Sequence, residues 1–161
     1  VTFDELYPDP LLDLQDQVRD HLETLPFFAA ITVLSERSKT LADRVAKTTA
    51  KAEGIFVTVL TTEGKATEDD QPGPESDIFV DVSVMEKTIT NRKEDTAFVT
   101  TTQIVTQLLR QLHYWHPAIA LQRLIYKGFA PDAADGESGL LIMTVRFQTK
   151  IQFPTALDPV P

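Results

Sequence analysis

The chain has 161 residues, 42% of them apolar and 24% charged, which suits one domain burying about two thirds of its unfolded surface. A net charge of −9 excludes a protein that grips nucleic acid through a positive footprint. Cysteine is absent, which excludes disulfides, thiolate catalysis and cysteine-based zinc sites. There is no apolar run of roughly eighteen residues to form a membrane-spanning helix, and the opening VTFDELYPDP lacks the layout of a signal peptide.

The first predicted helix follows Asp9, an N-cap residue, and Pro10, suited to the first helical position. Leu11, Leu14, Val18, Leu22 and Leu25 recur at three- and four-residue steps as an apolar stripe, and Pro26 ends it. His21 lies beside that stripe. AAITVLSE, residues 29–36, reads as a short strand. SKTLADRVAKTTAKAEG then predicts a helix, with Thr40 and Asp43 in a capping-box-like spacing and Gly54 as its C′ stop. Arg44, Lys47 and Lys51 share one face of it, either as a solvated stripe or as a contact for an acidic neighbour.

IFVTVLTT, 55–62, is apolar on both faces like a central strand. DIFVDVSVMEK, 77–87, alternates, with Ile78, Val80, Val82 and Val84 one way and Asp81 and Ser83 the other. Between them EGKATEDDQPGPES, 63–76, reads as an acidic arm that orders on a partner. Its cluster Glu68, Asp69 and Asp70 lacks the ligand order of a calcium loop. A long helix is predicted from about Thr96 to Trp115, on a stripe of Ile104, Val105, Leu108, Leu109, Leu112 and Trp115. Two strands follow, 120–129 and 140–153, joined by a hairpin loop with Asp135-Gly136 as its turn. PTALDPVP, 154–161, reads as an extended proline-rich tail. The order of elements predicts one α+β domain over 1–153, a mainly antiparallel sheet with helices packed on one face.

QLHYWHP, 111–117, concentrates two histidines, the single tryptophan and a proline. His113 and His116 at i, i+3 have a spacing that can hold a metal, and a metal-binding enzyme built on them is a rival reading. Three points favour a helix end instead. Pro117 disfavours helical geometry at His116. The nearest acids along the chain are Asp95 and Asp132, so no carboxylate is at hand as third ligand or base. A histidine near a helix C-terminus favours the carbonyl end of the macrodipole. Trp115 is expected to anchor the core under the sheet. The chain also lacks a G-x-S-x-G elbow, a P-loop and a dinucleotide fingerprint. No catalytic residue, metal ligand or cofactor is assigned, and the protein is expected to work by assembling.

From VSVMEKTITNRKED through VTQLLRQLHYWHP to LLIMTVRFQTKIQF, roughly residues 78 to 153, the chain resembles the tail terminator and minor tail proteins of tailed phages, the lambda-like and Mu-like tail-completion group. The shared layout is a strand ending in a glutamate, here Glu86, then the pair Asn91-Arg92. A helix closing in Leu-His-x-Trp-x-Pro follows, and then a Phe…Asp-Gly hairpin. The N-terminal half matches only in order of elements. The resemblance implies a non-enzymatic virion subunit of the tail or neck, assembled in the host cytoplasm. It also implies a homo-hexameric ring on the finished tail tube that stops polymerisation and offers a surface to head-completion proteins. Glu86, Asn91 and Arg92 are either a brace for the strand-to-helix loop or an interface. Rim charges of opposite sign, Arg44, Lys47 and Lys51 against Glu68, Asp69 and Asp70, are plausible halves of a head-to-tail contact between subunits. An acidic balance fits a lumen through which DNA passes without sticking. Another neck protein and a monomeric adaptor are the remaining rivals.

Overall fold

The computed structural model describes residues 1–38, 54–67, 73–92, 98–132 and 139–154. The predicted basic helix with Arg44, Lys47 and Lys51, the acids Glu68, Asp69 and Asp70, the Asp135-Gly136 turn and the proline-rich tail lie outside the described residues.

The strands are β1 (Thr32–Ser35), β2 (Ile55–Ala66), β3 (Glu75–Lys87), β4 (Ile125–Pro131) and β5 (Leu140–Gln152). They form one five-stranded sheet in the order β1-β2-β3-β5-β4, with β1 parallel to β2 and every other pair antiparallel. The helices are α1 (Phe3–Leu6), α2 (Pro10–Glu23), α3 (Thr88–Asn91) and α4 (Thr101–Leu112), with a 3-10 turn at Pro26–Phe28. α2 packs on β1 and β2, and α4 on β3, β5 and β4. The fold is α+β, a mainly antiparallel sheet carrying its helices on one face.

Local chemistry sets these boundaries. Asp9 Oδ1 accepts from the backbone N–H of Leu11 at 2.9 Å and of Leu12 at 3.3 Å, capping α2 one residue before Pro10. Leu14, Val18 and Leu22 of its stripe are fully buried. The inward phase of β3, Ile78, Val80, Val82 and Val84, meets Val57 and Val59 of β2 and Val145 and Phe147 of β5 in one core with Ile104, Leu108 and Leu112 of α4. Each such side chain contributes about 1.5–3 kcal/mol on burial. Gln15, also buried, ties α2 to the sheet, donating to Thr61 Oγ1 at 2.8 Å and accepting from the Glu36 N–H at 3.1 Å.

Several predicted boundaries change. The long helix begins at Thr101, because Thr100 and Gln103 form a capping box there, and it ends at Leu112, so the span Thr96 to Trp115 is too long. Trp115 is therefore outside the helix and only half-buried, packed on the core's edge. The strand expected at 120–129 starts at Ile125, after a loop in which Thr149 Oγ1 donates to the Gln122 carbonyl at 2.6 Å. The acidic arm shrinks as well. Glu63 to Ala66 prolong β2, and Glu75 and Ser76 open β3. α1 and α3, each of four residues, carry no periodic signal and were not expected.

On the sheet face away from α2 and α4, Thr58 of β2 is buried and its hydroxyl has no hydrogen-bond partner among the described residues. Thr58→Val, which deletes a desolvated polar group at nearly constant shape, is expected to raise the unfolding free energy by about 1 kcal/mol in urea titration. A fall in stability would show that the hydroxyl is bonded.

Candidate functional site

The strand-to-helix corner after β3 is built around one carboxylate. Glu86 continues the inward phase of Val82 and Val84 and sits opposite Ile55, so the sheet carries its side chain into the protein, where it is 0% exposed. Oε1 accepts from Asn91 Nδ2 at 3.0 Å and from Arg92 Nε at 2.7 Å. Oε2 accepts from the Thr101 hydroxyl at 2.6 Å and from Arg92 Nη2 at 3.3 Å. One acid thus joins the end of β3, the single turn of α3 and the first residue of α4. Asn91 Nδ2 also donates to the Val99 carbonyl at 2.9 Å, closing the loop between the two helices.

The electrostatics follow from this geometry. Burial alone would raise the Glu86 carboxyl, but the hydrogen bonds from Arg92, Thr101 and Asn91, with the charge of Arg92, outweigh it and hold the group below the ordinary glutamate value. Gly54 completes the corner. Its carbonyl accepts from the Lys87 N–H at 2.7 Å, and a Cβ placed on it would stand 2.7 Å from the backbone of Asn91. Its φ of +68° lies in the left-handed region, which glycine adopts without a β-carbon to crowd the chain.

Asn91 and Arg92 therefore separate in role. Asn91 braces the loop. Arg92 does this with one edge of its guanidinium while remaining 41% exposed, its Cζ lying 5.6 Å from the ring centroid of Phe98, itself 43% exposed. The outward part of the corner is an arginine on an aromatic ring, a pair common in protein interfaces.

A second polar group lies on the opposite sheet face and was not anticipated. Arg146 of β5 makes a bidentate pair with Asp81, at 2.9 and 3.0 Å, and reaches Glu63 at 3.1 Å. Thr62 Oγ1 donates to Asp81 at 2.7 Å, and the guanidinium lies 4.9 Å from the Phe79 ring centroid. A bulge between Thr61 and Glu63 turns Glu63 onto this face. The sequence signal was Asp81, an acid set between the valines of the strand on its outward phase. Arg146 thus answers both Asp81 and Glu63 within the chain.

The histidines are occupied as structural groups. His113 Nδ1 accepts from the Tyr126 N–H at 3.1 Å, a latch between the end of α4 and β4. His116, out of the helix as Pro117 predicts, bonds through Nε2 to the Ala120 carbonyl at 2.8 Å. His21 stacks on Trp115 with centroids 4.2 Å apart and planes 9° from parallel. Among the described residues no three His, Cys, Asp or Glu side chains are grouped to hold a metal, and no helix is long and apolar enough to cross a membrane.

The chain shares its fold with a chain from the virion of a native gene transfer agent particle. The match has a TM-score of 0.57 over 86% of this chain and 94% of that one, at 13% sequence identity. No family model and no curated relative matches the sequence.

Proposed function

We propose that this chain is a structural virion protein, a tail terminator that forms a ring at the head-proximal end of a tail tube. Its partners are then further copies of itself, in a homo-hexamer, the tail tube protein below and a head-completion or neck protein above, with DNA passing through the lumen. The ring stops tube polymerisation and presents the surface for head joining. The observation that carries the reading is the fold shared along nearly the whole chain with a gene transfer agent virion chain, together with the tail-terminator layout of residues 78 to 153. The site chemistry agrees with it. The polar groups at Glu86 and Asp81 are answered within the chain, as suits a subunit that works through surfaces.

In this reading Arg44, Lys47 and Lys51 of one subunit face Glu68, Asp69 and Asp70 of the next. Such rim charges set register and association rate more than affinity. The test is the mass of the purified chain in solution, alone and with tail tube protein. A ring mass or a complex on tube ends is expected, with assembly slowed by salt and by charge reversal at Lys47 and Lys51. A chain that stays monomeric in the presence of tube ends sinks the proposal. Assembly indifferent to salt and charge reversal removes the rim pairing alone.

A further inference from the structure

α4 passes into its loop at Tyr114, whose φ of +67° makes it the one non-glycine in the left-handed region among the described residues. The position just past a helix end is ordinarily filled by glycine or asparagine, because a β-carbon crowds the following carbonyl there. The backbone holds it in place. Tyr114 N–H donates to the Leu124 carbonyl at 2.8 Å, Leu124 N–H donates to the Trp115 carbonyl at 2.9 Å, and Arg123 Nη1 donates to the Tyr114 carbonyl at 3.1 Å. Every one of these bonds would form with glycine at 114. The tyrosine ring, by contrast, is 59% exposed and meets the His113 ring edge-on at 4.8 Å. The fold thus carries backbone strain for a ring that lies largely in water, the arrangement expected where a side chain serves something outside the fold.

The neighbours of Tyr114 along the chain indicate what that is. Between Asp95 and Asp132 the chain has no acidic residue but has Arg110, Arg123 and Lys127, all exposed. Leu121 is exposed in the same loop. Tyrosine and arginine are the side chains that most often anchor interfaces. The rest of the chain carries all of its net negative charge, so a second copy supplies the complementary surface. We propose that Tyr114, with Arg110 and Arg123, is the anchor by which one copy of this chain docks on an acidic surface of the next. Basic corner against acidic surface is a head-to-tail contact, the kind that closes rings. The inference rests on the ring reading and names one half of its interface.

The test is sedimentation of the full chain, alone and with tail tube protein, beside thermal unfolding, for wild type, Tyr114→Gly and Tyr114→Asn. Both replacements accept the left-handed backbone and remove the ring. The expected result is a melting temperature equal to or above that of wild type, all measured at a dilution where wild type is monomeric, with self-association at higher concentration weakened at least about tenfold and wild-type association weakened by salt. Wild-type association with both variants unchanged overturns this inference and leaves the ring standing. Melting temperatures lowered in both variants also overturn it, because the ring of Tyr114 would then serve the fold. A wild type that never self-associates overturns both.

Discussion

Glu86→Ala is expected to lower the unfolding free energy by about 3 kcal/mol, because it strips the acceptor from the buried Thr101 hydroxyl, removes one of the two acceptors of the half-buried Asn91 amide and leaves a void at the corner. The arginine partner turns to water and adds little. The same acid links folding to pH. A carboxyl held below its ordinary value of 4.5 contributes stability that is complete above that value and is lost as pH falls through the lower folded value. Glu86→Gln keeps the volume and one acceptor oxygen but cannot ionise. Its loss at neutral pH is expected to be smaller than that of alanine, and its difference from wild type should shrink as the solution is taken to about pH 3. Urea midpoints measured across that range give the answer. A gap between Glu86→Gln and wild type that stays constant down to that pH would mean the carboxylate is not the charged centre of the corner.

Gly54→Ala is expected to destabilise by a similar amount, about 3 kcal/mol, from two sources. Alanine in the left-handed region is unfavourable by about 1–2 kcal/mol, and its methyl would stand 2.7 Å from the Asn91 backbone, which has to move. Since Asn91 and Arg92 hold Glu86, the shift should also loosen the corner. Combined with Glu86→Ala the two losses are expected to sum to less than their total, because both act on one unit. Full additivity in a double-mutant cycle would separate Gly54 from the Glu86 group.

Much of this was legible in the residues, and the reasons it stopped are physical. Asp9-Pro10 and the Leu14, Val18, Leu22 stripe located α2 because capping and period 3.6 are local properties. The alternation of Val80, Val82 and Val84 gave both the strand and its buried face. Glu86 occupies the next inward step of the same alternation, yet polarity alone would place it outside. Only the meeting of Asn91, Arg92 and Thr101, brought together by the end of α3 and the start of α4, makes that burial tolerable. Trp115 was misplaced because its apolar character continued the α4 stripe, whereas the chain turns left-handed at Tyr114, where no glycine marks the turn. The rim residues Arg44, Lys47, Lys51, Glu68, Asp69 and Asp70 lie outside the described residues and outside the stretch that carries the resemblance, so their roles rest on charge pattern.

The sheet order has a consequence for synthesis. β5, last of the described strands in sequence, lies between β3 and β4 and bonds to both. A nascent chain halted at Gly139 has two strands waiting with open edges and no Val145, Phe147 or Ile151 to fill the space between sheet and α4. The core therefore closes only once β5 has been made. A product that stops before Leu140 leaves one edge of β3 unpaired and β4 detached from the sheet.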